Sequence, residues 1–287
     1  MEATATIDPR TRIGAVRLAV RDLDAVRDFY ERSIGLRRLD DADGVARLGT
    51  GDGSALVELQ PTADAPARPP GTTGLFHLAI LVPTRRDLAA ALQRVGDSGW
   101  RFTGASDHLV SEALYLNDPE GNGIEIYRDR PASSWDYDGG QVRMATIPLD
   151  VQGVIGELNG AEPGAAMPDP TRIGHVHLNV ADLASTEAFY SDGLGHDVTV
   201  RDYPGALFMS AGGYHHHVGA NTWAGEGAPP PPPGALGLRS FEVVVPSSEE
   251  LEAAAGRLRE AGHEVSAEAG AVDATDSSGN RVRLVTG

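Results

Sequence analysis

The feature that most constrains the fold is internal repetition. IGAVRLAVRDLDAVRDFYERSIGL at 13–36 returns as IGHVHLNVADLASTEAFYSDGLGH at 173–196, an offset of 160 positions. Each copy begins as an alternating strand, with Val16, Leu18 and Val20 in the first and Val176, Leu178 and Val180 in the second. An Asp placed to cap a helix follows, then Leu23, Val26, Phe29 and Tyr30 at helical spacing, ending near Gly35. Two weaker copies fill the gaps, LFHLAILVPTRRDLAAALQRVGDSGW at 75–100 and LRSFEVVVPSSEELEAAAGRLREAGHEV at 238–265. In the latter, Ser247 and Glu250 have capping-box spacing. DPEGNGIEIY at 118–127 and DSSGNRVRLV at 276–285 close the second and fourth copies with the same turn and alternating strand. The chain thus reads as an α+β fold of four βαβββ modules, starting near residues 13, 75, 173 and 238 and pairing into two barrels. In sequence order the expected domains are 8–130 (modules one and two) and 172–287 (modules three and four). A Pro/Gly-containing linker at 131–171 joins them, and PPPPP at 229–233 is a stiff surface connector between modules three and four.

Composition narrows the chemistry. The 287 residues suffice for two cores, and the absence of cysteine excludes disulfides, thiolate metal sites, iron–sulfur clusters and cysteine nucleophiles. Any metal site must use His, Asp or Glu. A net charge of -17 with scattered Lys and Arg gives no support to nucleic-acid binding. No stretch approaches the roughly 20 apolar residues of a membrane helix, and MEATATIDPRTR lacks an apolar signal core, so the expectation is a soluble, cytoplasmic protein without membrane association.

The repeats allow equivalent positions to be compared within one chain. Early in the first strand, modules one to four place Ala15, His77, His175 and Ser240; in the last strand they place Glu58, Glu125, Gly219 and Arg283. Such positions line the concave face of each curved sheet. Pairing modules two and three brings together His77, Glu125 and His175, with Gly219 leaving the fourth place without a ligand. Pairing modules one and four gives Ala15, Glu58, Ser240 and Arg283, which would hold no metal, and there Glu58 and Arg283 are expected to form an ion pair. The sequential pairings give poorer sites. A lone strand histidine is ordinarily a packed residue, but three ligand types in three matched slots point to a metal. Two neutral imidazoles and a carboxylate with three open positions is the donor set of non-haem Fe(II) oxygenases, and Mn(II) suits it equally. In HHHVGA, alternation would set His215 and His217 on one face and His216 on the other. His177 is given no role.

IGHVHLNVADL, SEALYLNDPEGNGIEIYRDRP and SAGGYHHHVGANTW resemble the vicinal oxygen chelate superfamily, and within it the type I extradiol dioxygenases of the two-domain catechol 2,3-dioxygenase kind. The resemblance runs from about residue 12 to 286 and implies a vicinal oxygen chelate, or glyoxalase-like, fold. It implies His175, His77 and Glu125 as Fe(II) ligands, His216 as acid–base group and Tyr115 as active-site tyrosine. His108 lies near a further active-site histidine of the family, two residues short of the usual spacing to Tyr115. The implied reaction is ring opening of a small aromatic diol, catechol or a substituted catechol, by O2. In better-known members the metal modules are consecutive, whereas here they flank the linker, which leaves pairing within one chain or between subunits open. Symmetric homo-oligomers are common for such chains, so that state is open as well. The alternatives are a glyoxalase-like metal-dependent lyase or isomerase, against which Gly219 counts, and a non-catalytic resistance protein that sequesters a small molecule and needs no triad.

Overall fold

The computed structural model describes residues 6–268 and 270–287. Each module helix starts on a side-chain cap that satisfies a free N–H of the first turn: Asp22 accepts from Ala25 N, Thr84 from Asp87 N, Asp182 from Ser185 N and Ser247 from Glu250 N. Only half of the capping box at Ser247 forms, because the Glu250 carboxylate is held by Arg257 at 2.8 Å. In modules one and three the helix is short, Leu23–Phe29 and Leu183–Glu187, and runs on as a wider π-type turn through Tyr30–Ile34 and Ala188–Gly193. Gly35, at φ 89°, ends the first of these in the left-handed conformation that suits glycine.

The hydrogen-bonded sheets do not follow the sequence halves. Among the described residues, an eight-stranded sheet joins modules one and four, and a nine-stranded sheet joins modules two and three. The first strand of module one, Arg12–Val20, runs antiparallel to Gly237–Val245 of module four, and Gly74–Leu81 of module two runs antiparallel to Arg172–Asn179 of module three. The division at 131–171 therefore marks the sequence repeat, whereas strand pairing crosses it within one chain. Helices do the reverse. The module-two helix Arg85–Asp97 packs on the turn Tyr30–Ile34 of module one, and the module-four helix Ser248–Glu260 packs on Ala188–Gly193 of module three. One continuous apolar core runs through both sheets, from Val16, Leu18 and Phe241 to Leu78, Val176 and Leu178, which ties the two units together.

The segment at 131–171 is folded. Ile147–Pro148 adds an edge strand to the nine-stranded sheet beside Phe102–Asp107, and the helix Val151–Gly156 packs on Arg85–Asp97. Trp135 and Val142 form a small cluster with Val110, Val200 and Phe208. The DxxGN turns are built alike: Asp118 accepts from the backbone of Glu120 and Asn122, and Asp276 from Ser278 and Asn280. These turns launch the last strands of modules two and four, including Gly123–Asp129, which carries Glu125. The prolines at 229–233 lie mostly exposed between modules three and four. No described helix is long and apolar enough to cross a membrane.

Candidate metal centre

Register sets the site. In each module the first strand pairs in parallel with the last: Arg17 opposite Glu58, Ala79 opposite Glu125, His177 opposite Gly219 and Glu242 opposite Arg283. Each first-strand partner lies two residues beyond the positions matched from the repeats, so Ala15, His77, His175 and Ser240 are equivalent in space as in sequence. Across the module-two/three junction His177 faces His77 and His175 faces Ala79.

His77, Glu125 and His175 come together with one donor atom each, all within 4.8 Å of one another, and all three residues are buried. His77 Nε2 lies 2.9 Å and His175 Nε2 3.2 Å from the same oxygen, Glu125 Oε2. Despite that distance, His77 Nε2 makes no hydrogen bond, so it is a buried nitrogen without a protein proton partner. Burial holds His175 down to about 4, hence neutral near pH 7. Burial also works to raise Glu125, but the adjacent His175 and His77 more than offset it and hold the carboxyl well below its usual range. Two imidazole nitrogens, the His175 ring held neutral, and an ionised carboxylate converging on one point fit a divalent metal ion. Gly219 leaves the matched fourth place free of a ligand atom. A carbon added there would lie 3.1 Å from the His177 ring, so the glycine makes room for that imidazole. Gly174 acts similarly, because a side chain there would overlap the Tyr127 hydroxyl, whose ring packs 4.8 Å from His175.

The triad lies in the wall of a cavity of about 380 Å³. Phe76, Phe208, Tyr203 and Trp223 give it aromatic walls, and Met144 and Thr146 of the linker contribute another side. Tyr115 stands directly opposite Glu125 on the neighbouring strand, and burial followed by the Glu125 charge raises its hydroxyl well above the ordinary value. His108 lies beside it, with Nε2 2.6 Å from the Tyr115 hydroxyl and Nδ1 2.8 Å from the Ala145 carbonyl. A carbonyl only accepts, so His108 Nδ1 carries the proton and Nε2 accepts from Tyr115.

The three consecutive histidines are not in a strand. They belong to the turn at 211–217 ahead of Val218–Asn221, so strand alternation does not decide their directions, and all three are buried. His216 lines the cavity with its ring 4.0 Å from that of His175, and burial, then the surrounding imidazoles, hold its pKa well below the ordinary value. His217 turns away, its Nδ1 accepting from Ala211 N at 3.1 Å. His215 joins His216 on one side and Asp129 on the other. His177 lines the cavity between Phe76 and Trp223, at ring distances of 5.2 and 5.5 Å. The repeat comparison gave His177 no role and did not find Asp129. The shared face of His175 and His177 on one strand was the available sign for the former.

In the sheet of modules one and four the matched positions are occupied differently. Glu58 does not pair with Arg283: it is held by Arg17 at 2.7 Å and Arg47 at 3.0 Å, which lie directly opposite it on its two neighbouring strands, while Arg283 binds Asp273 at 2.9 Å.

The chain belongs to the glyoxalase/bleomycin resistance protein/dioxygenase superfamily, whose family model matches residues 12–126 and 172–284. Within that class it is 46% identical, over 91% of its length and 92% of the relative's, to catechol-2,3-dioxygenase of Bacillus subtilis. It is 30% identical, over 47% of its length and 73% of the relative's, to biphenyl-2,3-diol 1,2-dioxygenase 3 of Rhodococcus globerulus. Glyoxalase I of Zea mays shares the fold, with a TM-score of 0.57 at 19% identity over 96% of this chain and 92% of that one.

Proposed function

We propose that this protein is an extradiol dioxygenase that opens catechol or a substituted catechol with O2 at a mononuclear Fe(II) held by His77, Glu125 and His175. The observation that carries the reading is a three-donor cluster of two imidazoles and one carboxylate, with no fourth ligand among the described residues, in an aromatic cavity of about 380 Å³. The 46% identity to a catechol-2,3-dioxygenase supports it, and ring-cleaving chemistry on a diol is assigned on that basis. Bound Fe(II) would supply Lewis acidity and electron transfer between a chelated diol and O2, and the same donor set accepts Mn(II).

The protein's own groups do the rest. Phe76, Phe208 and Trp223 wall the cavity with apolar surface that suits an aromatic ring and limits water. His216, desolvated and neutral beside His175, is the group placed to take a proton from a diol hydroxyl and return it as the ring opens. Tyr115, its hydroxyl held by His108, stays protonated near pH 7 and offers a fixed polar group opposite Glu125. A glyoxalase-like lyase reading lacks its fourth ligand at Gly219.

The test is turnover of catechol and its alkyl and chloro derivatives by protein reconstituted anaerobically with Fe(II) and then exposed to O2. Appearance of the yellow ring-opened semialdehyde is the expected result; its absence from every diol tried would rule out the reading. Metal content of protein purified without added iron separates this reading from a sequestering protein, which needs no metal.

A further inference from the structure

We infer that Asp129 and His215 form a positioning relay that fixes the proton of His216 on Nδ1 and leaves its Nε2 as the free base. The inference rests on the acid–base reading of His216 and adds the residues that decide which of its nitrogens reacts.

Hydrogen-bond accounting carries it. Asp129 Oδ1 lies 2.9 Å from His215 Nε2. A carboxylate oxygen accepts, so His215 Nε2 carries the ring proton and, in the neutral ring, His215 Nδ1 is a lone pair. That lone pair lies 2.7 Å from His216 Nδ1, which must therefore donate. His216 in its neutral form has one N–H, and it is spent on His215, so Nε2 is left unprotonated, on a ring that lines the cavity. The opposite tautomer would set two lone pairs against each other at 2.7 Å inside the fold, where no solvent can separate them: the His215 side chain is 0% exposed.

The relay is anchored on the metal side of the site. Asp129 ends the strand Gly123–Asp129 that carries Glu125. Tyr214 donates to its Oδ2 at 3.0 Å, and the Tyr127 hydroxyl lies 2.7 Å from that of Tyr214. Trp135 of the linker closes over His215 at a ring distance of 5.4 Å. Asp129 and the histidines come from different modules, so the tautomer is set only where modules two and three meet. A buried carboxylate–imidazole contact that fixes the tautomer of a reacting histidine is a general device, and loss of the correct tautomer is costly even when geometry survives.

The test reads the tautomer directly. In 15N-histidine-labelled full-length protein loaded with diamagnetic Zn(II), the long-range 1H–15N pattern of His216 is assigned by its disappearance in His216→Gln. It is expected to show a protonated Nδ1 and an unprotonated Nε2; a protonated Nε2 overturns the relay whatever the activity. His215→Phe keeps a flat ring in the same space but cannot accept. It is expected to move the proton to Nε2 and, in Fe(II)-loaded enzyme, to lower kcat about 100-fold while KM for catechol stays within about 3-fold. His215→Gln has an amide that can accept from His216 and donate to Asp129, and is expected to restore the Nδ1–H pattern and about 10-fold of the lost kcat. A Gln variant no better than Phe reduces His215 to packing and overturns the proposal. Wild-type turnover by His216→Gln would instead overturn the acid–base reading, with the tautomer pattern still deciding the relay.

Discussion

The two sheets share a register but have different interiors. In modules one and four the residues paired across the first and last strands are Arg17 with Glu58 and Glu242 with Arg283, and Arg17 and Arg47 close on Glu58 while Arg281 and Arg283 close on Asp273. In modules two and three the corresponding pairs are Ala79 with Glu125 and His177 with Gly219, and the matched residues His77 and His175 are turned to Glu125. Guanidinium groups are permanently charged donors, so in the first interior Glu58 and Asp273 are spent on arginines, while Glu242 accepts from the Ala15 N–H. An imidazole in its neutral form offers a lone pair that a guanidinium lacks, so the second keeps a ligand set in His77, Glu125 and His175. Every histidine except His263 lies in modules two and three. The scaffold supplies two equivalent places for a site, and side-chain chemistry decides which one binds.

The comparison breaks most completely at His175. His175→Ala is expected to lose both bound metal and diol turnover while leaving the other sheet folded; retained turnover in a folded variant would sink the ligand assignment.

Acid should then separate the sheets. His196 and His217, both in module three, are held by burial at about 4 and about 3, below the unfolded value near 6.5. As pH falls below about 6.5 the unfolded chain takes up protons that these buried rings refuse, so stability present above that pH is lost progressively toward pH 4. The loss is on the order of 3 kcal/mol per ring. Hydrogen exchange at pH 5 should open Arg172–Asn179 and Val218–Asn221 before Arg12–Val20; equal protection of both sheets would contradict this.

Gly219→Ala presses a methyl against the His177 ring and is expected to cost about 1–2 kcal/mol in urea unfolding, with a several-fold fall in kcat/KM. Glu58→Gln, its counterpart in the other interior, is expected to cost about 1 kcal/mol, because its Arg partners are partly exposed, and to leave metal content and turnover unchanged. A change in metal content in this variant would mean that the two interiors are coupled.

Much of this was legible in the chain because repeats carry their own alignment. Four first-strand residues matched by the repeats are equivalent in the sheets, and two of them with Glu125 at the matched last-strand position mark the triad. Local rules failed where the local structure was misjudged. His215–His217 lie in a turn, so strand alternation is not the reason that His216 alone lines the cavity, although that expectation holds; Glu58 does not pair with Arg283, because Arg17 and Arg47 on the adjacent strands reach it first. Asp129 and Ala145, which orient His215 and His108, carry no sequence signal of that role, because their partners lie 86 and 37 positions away.

The sequence by itself determined the four modules, their matched registers and the three residues able to bind a metal, because period and residue type are local properties that repetition makes comparable. The tertiary structure decided that sheets pair across the linker while helices pair within the halves. It also decided that the linker walls the cavity. Those outcomes depend on which distant surfaces bury each other, which no single segment of the chain contains.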